Sequence, residues 1–244
     1  MMTNLVTLSN VTYKRNLKII IDHLNLQLPQ NNIIGLLGAN GAGKTTLMRL
    51  ISGVVPNYKG TIRIGTATTN TARKQVASFS QILTGVQPNA RLTEIANYCD
   101  TLYSDFSIDV FEKIIASLDL DGTEKLSALS KGNRMKCVLA VTLARRVSLY
   151  LLDEPFDGID SMTRKRLIKS MLTWKPDNAT ILISDHHVED IANILDQVVI
   201  LKHQMVISQK SAEEIREKDG LSIETYYENI YEGGVDHDQS HDNL

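Results

Sequence analysis

Eight consecutive residues decide the fold of this chain: Gly38-Ala39-Asn40-Gly41-Ala42-Gly43-Lys44-Thr45. They match the pattern G-x-x-x-x-G-K-[ST], which ordinary composition would produce by chance in about one of a hundred chains of this length. The apolar run Ile33 to Leu37 predicts a strand before this stretch, and Thr45 to Ile51 predicts a helix that Gly53 can end. A strand, a glycine-rich turn and a helix in this order predict a phosphate-binding loop, the alternative being a turn with no ligand.

The residue types in this loop suit the binding of a nucleoside triphosphate. Glycines let consecutive backbone N–H groups converge on phosphate oxygens, and the helix beginning near Gly43 directs its positive end at the same anion. Lys44 can reach the β- and γ-phosphates, while the Thr45 hydroxyl can ligate Mg²⁺. The predicted nucleotide-binding residues are Gly38, Ala39, Asn40, Gly41, Ala42, Gly43, Lys44, Thr45 and Thr46.

A second apolar run, Leu149 to Leu152, ends in the carboxylates of Asp153 and Glu154. The carboxyl end of a strand in an open α/β sheet is where ligands bind. Asp153 suits the Mg²⁺ shell, and Glu154 suits the orientation and deprotonation of an attacking water. Such acidic pairs more often cap helices or face solvent, so the catalytic interpretation depends on the phosphate loop.

The rest of the chain predicts an α/β protein, because short apolar runs alternate with helical patterns. Strands are predicted at Ile33–Leu37, Leu149–Leu152, Ile181–Ser184 and Val198–Leu201. The stretch Leu5 to Leu28 alternates in polarity and predicts antiparallel strands at one edge. Between Val86 and Ala144 the strand signal disappears, which predicts a helical insert near residues 86–140. The expected fold is a P-loop NTPase (RecA-like) core with an antiparallel β edge subdomain and an inserted helical subdomain.

Composition limits the function classes. The chain has 26 Lys and Arg residues and 28 Asp and Glu residues, which give a net charge of −2. This balance argues against a basic nucleic-acid surface. The two cysteines, Cys99 and Cys137, are too few for a disulfide framework. No signal-peptide pattern or membrane-length apolar run is present, so we expect a cytoplasmic chain. We predict one domain over 1–232, including a helix from the capping box at Ser211 to Gly220, and a disordered tail over 233–244.

The stretch Leu129-Ser130-Lys131-Gly132-Asn133 resembles the signature loop of ATP-binding-cassette (ABC) ATPases, usually Leu-Ser-Gly-Gly-Gln. Other elements follow in that family's order: Tyr13 matches the aromatic residue that stacks on adenine, and Gln81 the Q-loop glutamine. Gly158-Ile159-Asp160 resembles the D-loop, and His186 resembles the switch histidine, which spacing favours over His187. The resemblance covers roughly Leu5 to Lys210. Taken singly, Tyr13 could be strand packing, Gln81 a surface amide and Asp160 a turn residue.

The signature departs from the family pattern at Lys131 and Asn133, and Asp157 replaces a small residue before the D-loop. Ser130 and Gly132 remain, and a hydroxyl and an unobstructed N–H at a helix start can donate to a γ-phosphate. In the family that phosphate belongs to the opposite subunit, so the resemblance implies a head-to-tail ATP sandwich. Ser130 could also be an ordinary helix N-cap. Lys131 could bring charge near the nucleotide, although solvent exposure is the simpler expectation.

The resemblance implies an ATPase subunit of a transporter, of bacterial exporter type, peripheral on the inner face of the cell membrane. Its cofactors would be ATP and Mg²⁺, with Thr45, Gln81 and Asp153 at the metal and Glu154, Gln81 and His186 as catalytic residues. Its partners would be a separate transmembrane permease subunit and a second ATPase subunit, identical or different, with no nucleic acid. One alternative is a non-transport ABC ATPase that regulates a membrane complex. Another is a small-molecule kinase or GTPase, which would not need the signature or His186.

Overall fold

The computed structural model describes residues 3–81, 83, 85–185 and 188–233, and it builds the chain on two β-sheets. The smaller sheet is antiparallel, with strand order β2-β1-β4. Its strands are β1 (Asn4–Arg15), β2 (Lys18–Pro29) and β4 (Lys59–Ile64). The antiparallel edge predicted from the alternation in Leu5–Leu28 is therefore confirmed.

The larger sheet has six strands in the order β5-β6-β7-β3-β8-β9. The first five strands are mutually parallel, and the last pairs antiparallel to its neighbour. The strands are β3 (Ile33–Leu37), β5 (Ala77–Phe79), β6 (Leu149–Asp153), β7 (Thr180–Ser184), β8 (Gln197–Lys202) and β9 (Met205–Ser211). All four strands predicted from apolar runs are present, and the crossovers between parallel strands place helices on both faces.

Eight α-helices occur in the described part of the chain. They are α1 (Lys44–Ile51), α2 (Asn70–Val76), α3 (Leu92–Leu102), α4 (Ile108–Ser117), α5 (Lys131–Leu143), α6 (Ser161–Trp174), α7 (Val188–Ala192) and α8 (Ile223–Glu232). None of the helices in the described ranges has the length and apolar character needed to cross a bilayer.

The parallel strands divide the core into two layers because successive side chains point to opposite faces of a sheet. Ile34 and Leu36 of β3 pack with α1 and the antiparallel sheet, whereas Ile33 and Leu37 face the helices of the other layer. Tyr150 of β6 belongs to that second layer. Burial on both faces explains why these strands read as continuous apolar runs.

The region between Val86 and Ala144 contains no named strand in its described residues and holds α3, α4 and α5. Arg145 attaches it to the larger sheet. This side chain is 3% exposed and donates to both carboxylate oxygens of Asp105 and to the Ala77 carbonyl at the end of α2. Its guanidinium also lies 4.0 Å from the centroid of the Tyr103 ring. The boundaries 86–140 and 1–232 stay predictions.

The segment after β9 differs in detail from the predicted capped helix. The Ser211 hydroxyl accepts a hydrogen bond from the Glu214 N–H at 3.0 Å, as a cap should. The turns that follow are π-helical over Glu214–Lys218 and end before Gly220, which has a φ of +67°. The predicted tail, 233–244, lies outside the described residues except for Gly233.

Candidate nucleotide site

The phosphate loop joins β3 to α1, and Lys44 is folded back over it. The Lys44 Nζ donates to the Gly38 carbonyl at 2.7 Å and the Ala39 carbonyl at 3.3 Å. The residue is only 5% exposed, and burial lowers the pKa of its ammonium group. The carboxylates of Glu154, Asp153 and Asp185 act against that shift. The loop therefore holds its cation at the position from which phosphate oxygens can be reached.

Two glycines of the loop are required by their surroundings. A Cβ at Gly38 would lie 2.4 Å from the Leu201 carbonyl oxygen, which is backbone and cannot move aside cheaply. Gly43 has a φ of +109°, and a Cβ there would lie 3.1 Å from the Ile20 carbonyl oxygen. The loop thus packs closely between the end of β8 and the strand β2, so contacts within the chain hold its shape.

Asp153 is at the carboxyl end of β6 and is the centre of a hydrogen-bond network. Its Oδ1 accepts from the Thr45 hydroxyl at 3.0 Å and from the Ser184 hydroxyl at 2.9 Å. Its backbone N–H donates to the Ser80 hydroxyl at 3.0 Å. Residues from the start of α1, the end of β7 and the turn after β5 thereby meet at Asp153, as expected for the ligand-binding edge of a parallel sheet.

Gln81 lies beside the Asp153 carboxylate and points its amide nitrogen, rather than its amide oxygen, toward it. The Gln81 Nε2 is 3.4 Å from the Asp153 Oδ2, while its Oε1 accepts from the Arg49 guanidinium at 2.9 Å. An amide nitrogen does not ligate a metal, so the predicted metal role requires the amide to rotate and to exchange its contact with Arg49. The pairing with Arg49 was not predicted, because the two residues are 32 positions apart in different elements.

Glu154 has an unusual backbone conformation, with a φ of +47°. Non-glycine residues in this region are strained, and such strain concentrates at functional sites where surrounding contacts maintain it. Here the Glu154 N–H donates to the Ser184 carbonyl at 3.1 Å and to the Ser184 hydroxyl at 3.0 Å. These bonds aim the carboxylate at the loop, with Oε1 3.8 Å from the Lys44 Nζ. The side chain is 35% exposed, so water can reach it.

The donors around Asp153 fit a hard cation such as Mg²⁺, which prefers oxygen ligands. The Thr45 hydroxyl and the Asp153 carboxylate already lie within 3.0 Å of each other. Within the described ranges, no cluster of three or more His, Cys, Asp or Glu side chains could hold a metal ion by itself. This donor set is typical of an ion that takes its remaining ligands from substrate phosphates and water.

Tyr13 lies in β1, half-buried, opposite Ile21 of β2. The Ile21 side chain in turn contacts the phosphate loop, since its Cδ1 would be 3.1 Å from a Cβ at Gly43. Ile21 therefore lies between Tyr13 and the phosphate loop. Tyr13 packs against the apolar core and retains an exposed face, so strand packing and a stacking role are compatible.

The signature residues Leu129–Asn133 form the start of α5. The Ser130 hydroxyl accepts from the Asn133 N–H at 3.2 Å and is the helix N-cap. Among the described residues, nothing lies within 4 Å of a Cβ built at Gly132, and its φ does not require glycine. No hydrogen bond or ion pair between described residues joins this segment to residues 38–46.

Asp160 and Lys131 both have partners within the chain. Asp160 caps α6, accepting from the Met162 and Thr163 N–H groups at 3.0 and 2.9 Å, and the hydrogen bond from Thr163 lowers the pKa of its carboxyl. The Lys131 Nζ is 2.8 Å from the Asp157 Oδ2, and its side chain is 63% exposed. The expected exposure of Lys131 is observed, but its ion pair was not predicted. His186 and His187 lie outside the described residues.

A contact from the C-terminal helix also reaches the phosphate loop. The Ala39 N–H donates to the Tyr231 hydroxyl at 3.2 Å, across 192 positions of sequence. The Lys202 Nζ, at the end of β8, donates to the Tyr231 carbonyl and lies 4.8 Å from its ring centroid. No sequence motif marks Tyr231, since its partner is a backbone group.

The fold and these contacts define a P-loop α/β protein with a nucleotide site at the carboxyl ends of β3 and β6. The family model for the ABC transporter matches residues 21–157, more than half of the chain. The chain therefore belongs to the ABC transporter family, in which this region is the ATP-binding part. The family resemblance and the fold class predicted from the sequence are confirmed.

Relatives with curated names agree with this assignment. The intermembrane phospholipid transport system ATP-binding protein MlaF of Haemophilus influenzae is 26% identical, over 95% of this chain and 93% of its own. The manganese transport system ATP-binding protein MntB of Listeria monocytogenes is 28% identical, over 80% of this chain and 85% of its own. A solved ATP-binding subunit of an ABC transporter superposes with a TM-score of 0.82 at 21% identity, covering 93% of this chain and 99% of that one.

Proposed function

We propose that the chain hydrolyses ATP to ADP and phosphate as the ATPase subunit of an ABC transporter whose membrane-spanning part is a separate protein. One observation carries this proposal: Lys44, Thr45, Asp153 and Glu154 meet at the carboxyl ends of two strands of one parallel sheet. A phosphate-binding cation, two metal-ligand oxygens and a strained, water-accessible carboxylate are the groups that phosphoryl transfer to water requires.

The proposed reaction follows from these positions. Lys44 and the loop N–H groups hold the β- and γ-phosphates, the lysine exchanging its carbonyl contacts for phosphate oxygens. Thr45 and Asp153, together with Gln81 once its amide has rotated, would hold Mg²⁺, which would neutralise charge on the phosphates. Glu154 orients a water and accepts its proton as the new bond to the γ-phosphorus forms. The bond to the β–γ bridging oxygen breaks, and ADP is the leaving group.

The signature segment supports a two-chain site. Gly132 has space around it among the described residues and no backbone need for glycine, so a group of a second chain has room to approach its N–H. Ser130 lies exposed at the positive end of α5, where its hydroxyl proton can be donated to an anion while its oxygen accepts from the Asn133 N–H. In the proposed sandwich Ser130 and Gly132 contact the partner's γ-phosphate, ATP closes the dimer, and hydrolysis reopens it.

A groove beside Gln81 supports docking of a membrane subunit. It has a volume of about 340 Å³, and its lining includes the apolar side chains of Val54 and Phe79. Tyr103 and Arg145, which connect α3 to the larger sheet, also line it, as does Gln81, whose amide is 3.4 Å from Asp153. A partner segment in this groove would contact the nucleotide site and the helical region together. This arrangement would hold the chain on the inner face of the membrane, and we propose export as the direction of transport.

The Glu154→Gln variant tests the hydrolytic part of the proposal. Glutamine keeps the size and removes the base, so turnover should fall about 100-fold or more while ATP still binds. The variant should also accumulate as an ATP-bound dimer, measured by size-exclusion chromatography with multi-angle light scattering. Near-normal phosphate release by this variant would remove Glu154 from the role of base.

Vesicle reconstitution tests the transport part. The chain is copurified with its membrane partner, inserted into vesicles, and supplied with ATP on the side that carries the ATPase. ATP-dependent movement of solute, absent with Glu154→Gln, would support transport and give its direction. Intact, partner-stimulated hydrolysis with no solute moved would favour the alternative, a regulator of a membrane complex.

A further inference from the structure

Two residues that depart from the ABC pattern contact each other. Lys131 stands where the signature usually has glycine, and Asp157 stands where a small residue usually precedes the D-loop. The Lys131 Nζ donates to the Asp157 Oδ2 at 2.8 Å, across 26 positions of sequence. The two departures therefore form an ion pair with each other.

The lysine also lies along the backbone after Asp157. A Cβ built at Gly158 would be 2.3 Å from the Lys131 Nζ and 3.1 Å from its Cε. Gly158 has a φ of +66°, so this turn favours glycine for its conformation. The end of the Lys131 side chain therefore lies against the backbone of the turn as well as beside the Asp157 carboxylate.

The ion pair connects the signature segment of one chain to the turn that follows Glu154 in the same chain. Lys131 is the first residue of α5 and directly follows Ser130. Asp157 is in the turn after Glu154, and its N–H lies 3.3 Å from the Glu154 carbonyl oxygen. In the proposed sandwich, Ser130 acts on the partner's ATP, whereas Glu154 acts on the chain's own ATP.

We propose that the Lys131–Asp157 ion pair couples the two ATP sites of the dimer. The inference rests on the proposed function, because it requires the head-to-tail sandwich. A shift of α5 when Ser130 engages the partner's phosphate is transmitted through the pair to the turn that carries Glu154. Lys131 and Asp157 are positioning residues, since they act through Ser130 and Glu154. Exposed pairs of this kind alter equilibria by about two- to fivefold, so the pair tunes the coupling and does not create the activity.

A double-mutant cycle tests this coupling. Lys131→Met, Asp157→Asn and the double variant are compared with the parent chain for kcat and for the Hill coefficient of ATP hydrolysis. The parent should have a Hill coefficient above 1, and each single variant should bring it toward 1 and lower kcat about two- to fivefold. The double variant should be no more impaired than either single variant, because one interaction is lost in all three. Lys131→Arg should retain the parent behaviour.

A matched control is the exposed ion pair between Arg166 of α6 and Asp119, which follows α4; neither residue belongs to the signature or to the turn after Glu154. Arg166→Met should leave the Hill coefficient and kcat unchanged, and equal melting temperatures across the set exclude a folding effect. The coupling would be overturned if the double variant lost the sum of the kcat losses of the two single variants. It would also be overturned if Asp157→Asn had the kcat and the Hill coefficient of the parent. A dimeric parent with a Hill coefficient of 1 would overturn it as well. Failure of the sandwich itself is separate, because Glu154→Gln would then form no ATP-dependent dimer.

Discussion

The phosphate loop and the signature segment both face phosphate in the proposed mechanism, but they are built differently. The phosphate loop is held by contacts within its own chain: Lys44 donates to a loop carbonyl, and Gly38 packs on the Leu201 backbone. The signature segment has an exposed Ser130 and, among the described residues, open space at Gly132. In the proposed sandwich, the loop would bind nucleotide in a single chain, whereas the signature segment would meet a ligand only when a second chain arrives. We therefore expect nucleotide binding to precede assembly of the dimer.

The sharpest way to break this comparison is complementation between two inactive variants. A Lys44→Ala homodimer should be inactive because both phosphate loops lose their cation, and a Ser130→Arg homodimer because both signature segments are blocked. Mixed dimers contain one site with both lesions and one with neither. An equal mixture should recover up to about one quarter of the parent rate, since about half of the dimers are mixed and each has one intact site. One quarter is the value for independent sites, and coupling between the two sites lowers it, so recovery is stronger evidence than its absence. Phosphate release on mixing is the measurement.

Mixing two separately tagged Lys44→Ala preparations provides the background for that experiment. Pull-down through one tag confirms that chains exchange. A Ser130→Arg homodimer that hydrolyses ATP at the parent rate would contradict the two-chain site. The same conclusion would follow from full activity of the parent at concentrations far below its dimerisation.

Two glycine substitutions, one in the phosphate loop and one in the signature segment, should differ in their effect on the stability of the fold. Gly38→Ala places a Cβ 2.4 Å from a backbone carbonyl, so it should destabilise the fold by about 1–3 kcal/mol and weaken ATP binding. Gly132→Ala meets open space near the start of α5, so its melting temperature should be unchanged or slightly raised. Its hydrolysis should still fall by at least about tenfold, because a small misplacement of the partner's phosphate is costly.

Thermal unfolding and nucleotide titration of the two variants check this prediction. The contrast fails if Gly132→Ala lowers the melting temperature as much as Gly38→Ala does. It also fails if Gly132→Ala hydrolyses ATP at the parent rate, since the open space at Gly132 would then have no function.

Local patterns in the sequence were sufficient for the phosphate loop and for the buried strands. The loop is fixed by spacing within eight residues, and strands such as Ile33–Leu37 are apolar because both faces of the sheet are covered. The ABC resemblance, carried by several motifs in one order, is confirmed by the family match. The catalytic and metal-binding roles of individual residues stay predictions, including that of His186.

The contacts that sequence reasoning missed join distant positions or backbone groups. Lys131 and Asp157 were each recognised as departures, but nothing in the sequence indicates that one compensates for the other. Arg145 belongs to none of the motifs, although it connects the helical region to the sheet through three carbonyl oxygens, a carboxylate and an aromatic ring. Such partners are set by the tertiary fold, so a single sequence does not show them.

A smaller effect is expected beside the phosphate loop, where Tyr13 is the proposed adenine platform. Tyr13→Ala should weaken ATP and GTP by a similar factor of about 2–13, because stacking energy depends little on the base. Fluorescence titration with labelled ATP and GTP measures this. Tyr13→Phe should bind nearly as well as the parent. Unchanged affinity in Tyr13→Ala would leave this residue with strand packing as its role.

The smallest expected effect concerns the contact between the phosphate loop and α8. Tyr231→Phe removes the hydroxyl that accepts from the Ala39 N–H and keeps the ring beside Lys202. Loss of one neutral hydrogen bond corresponds to about 0.5–1.5 kcal/mol, so ATP affinity should change by about two- to tenfold with kcat nearly constant. Tyr227→Phe is the matched control, because its ring contacts Tyr231 without bonding to the loop. Equal effects of the two variants on ATP affinity would show that α8 contributes packing alone. The hydrogen bond from the loop to α8 would then have no part in nucleotide binding.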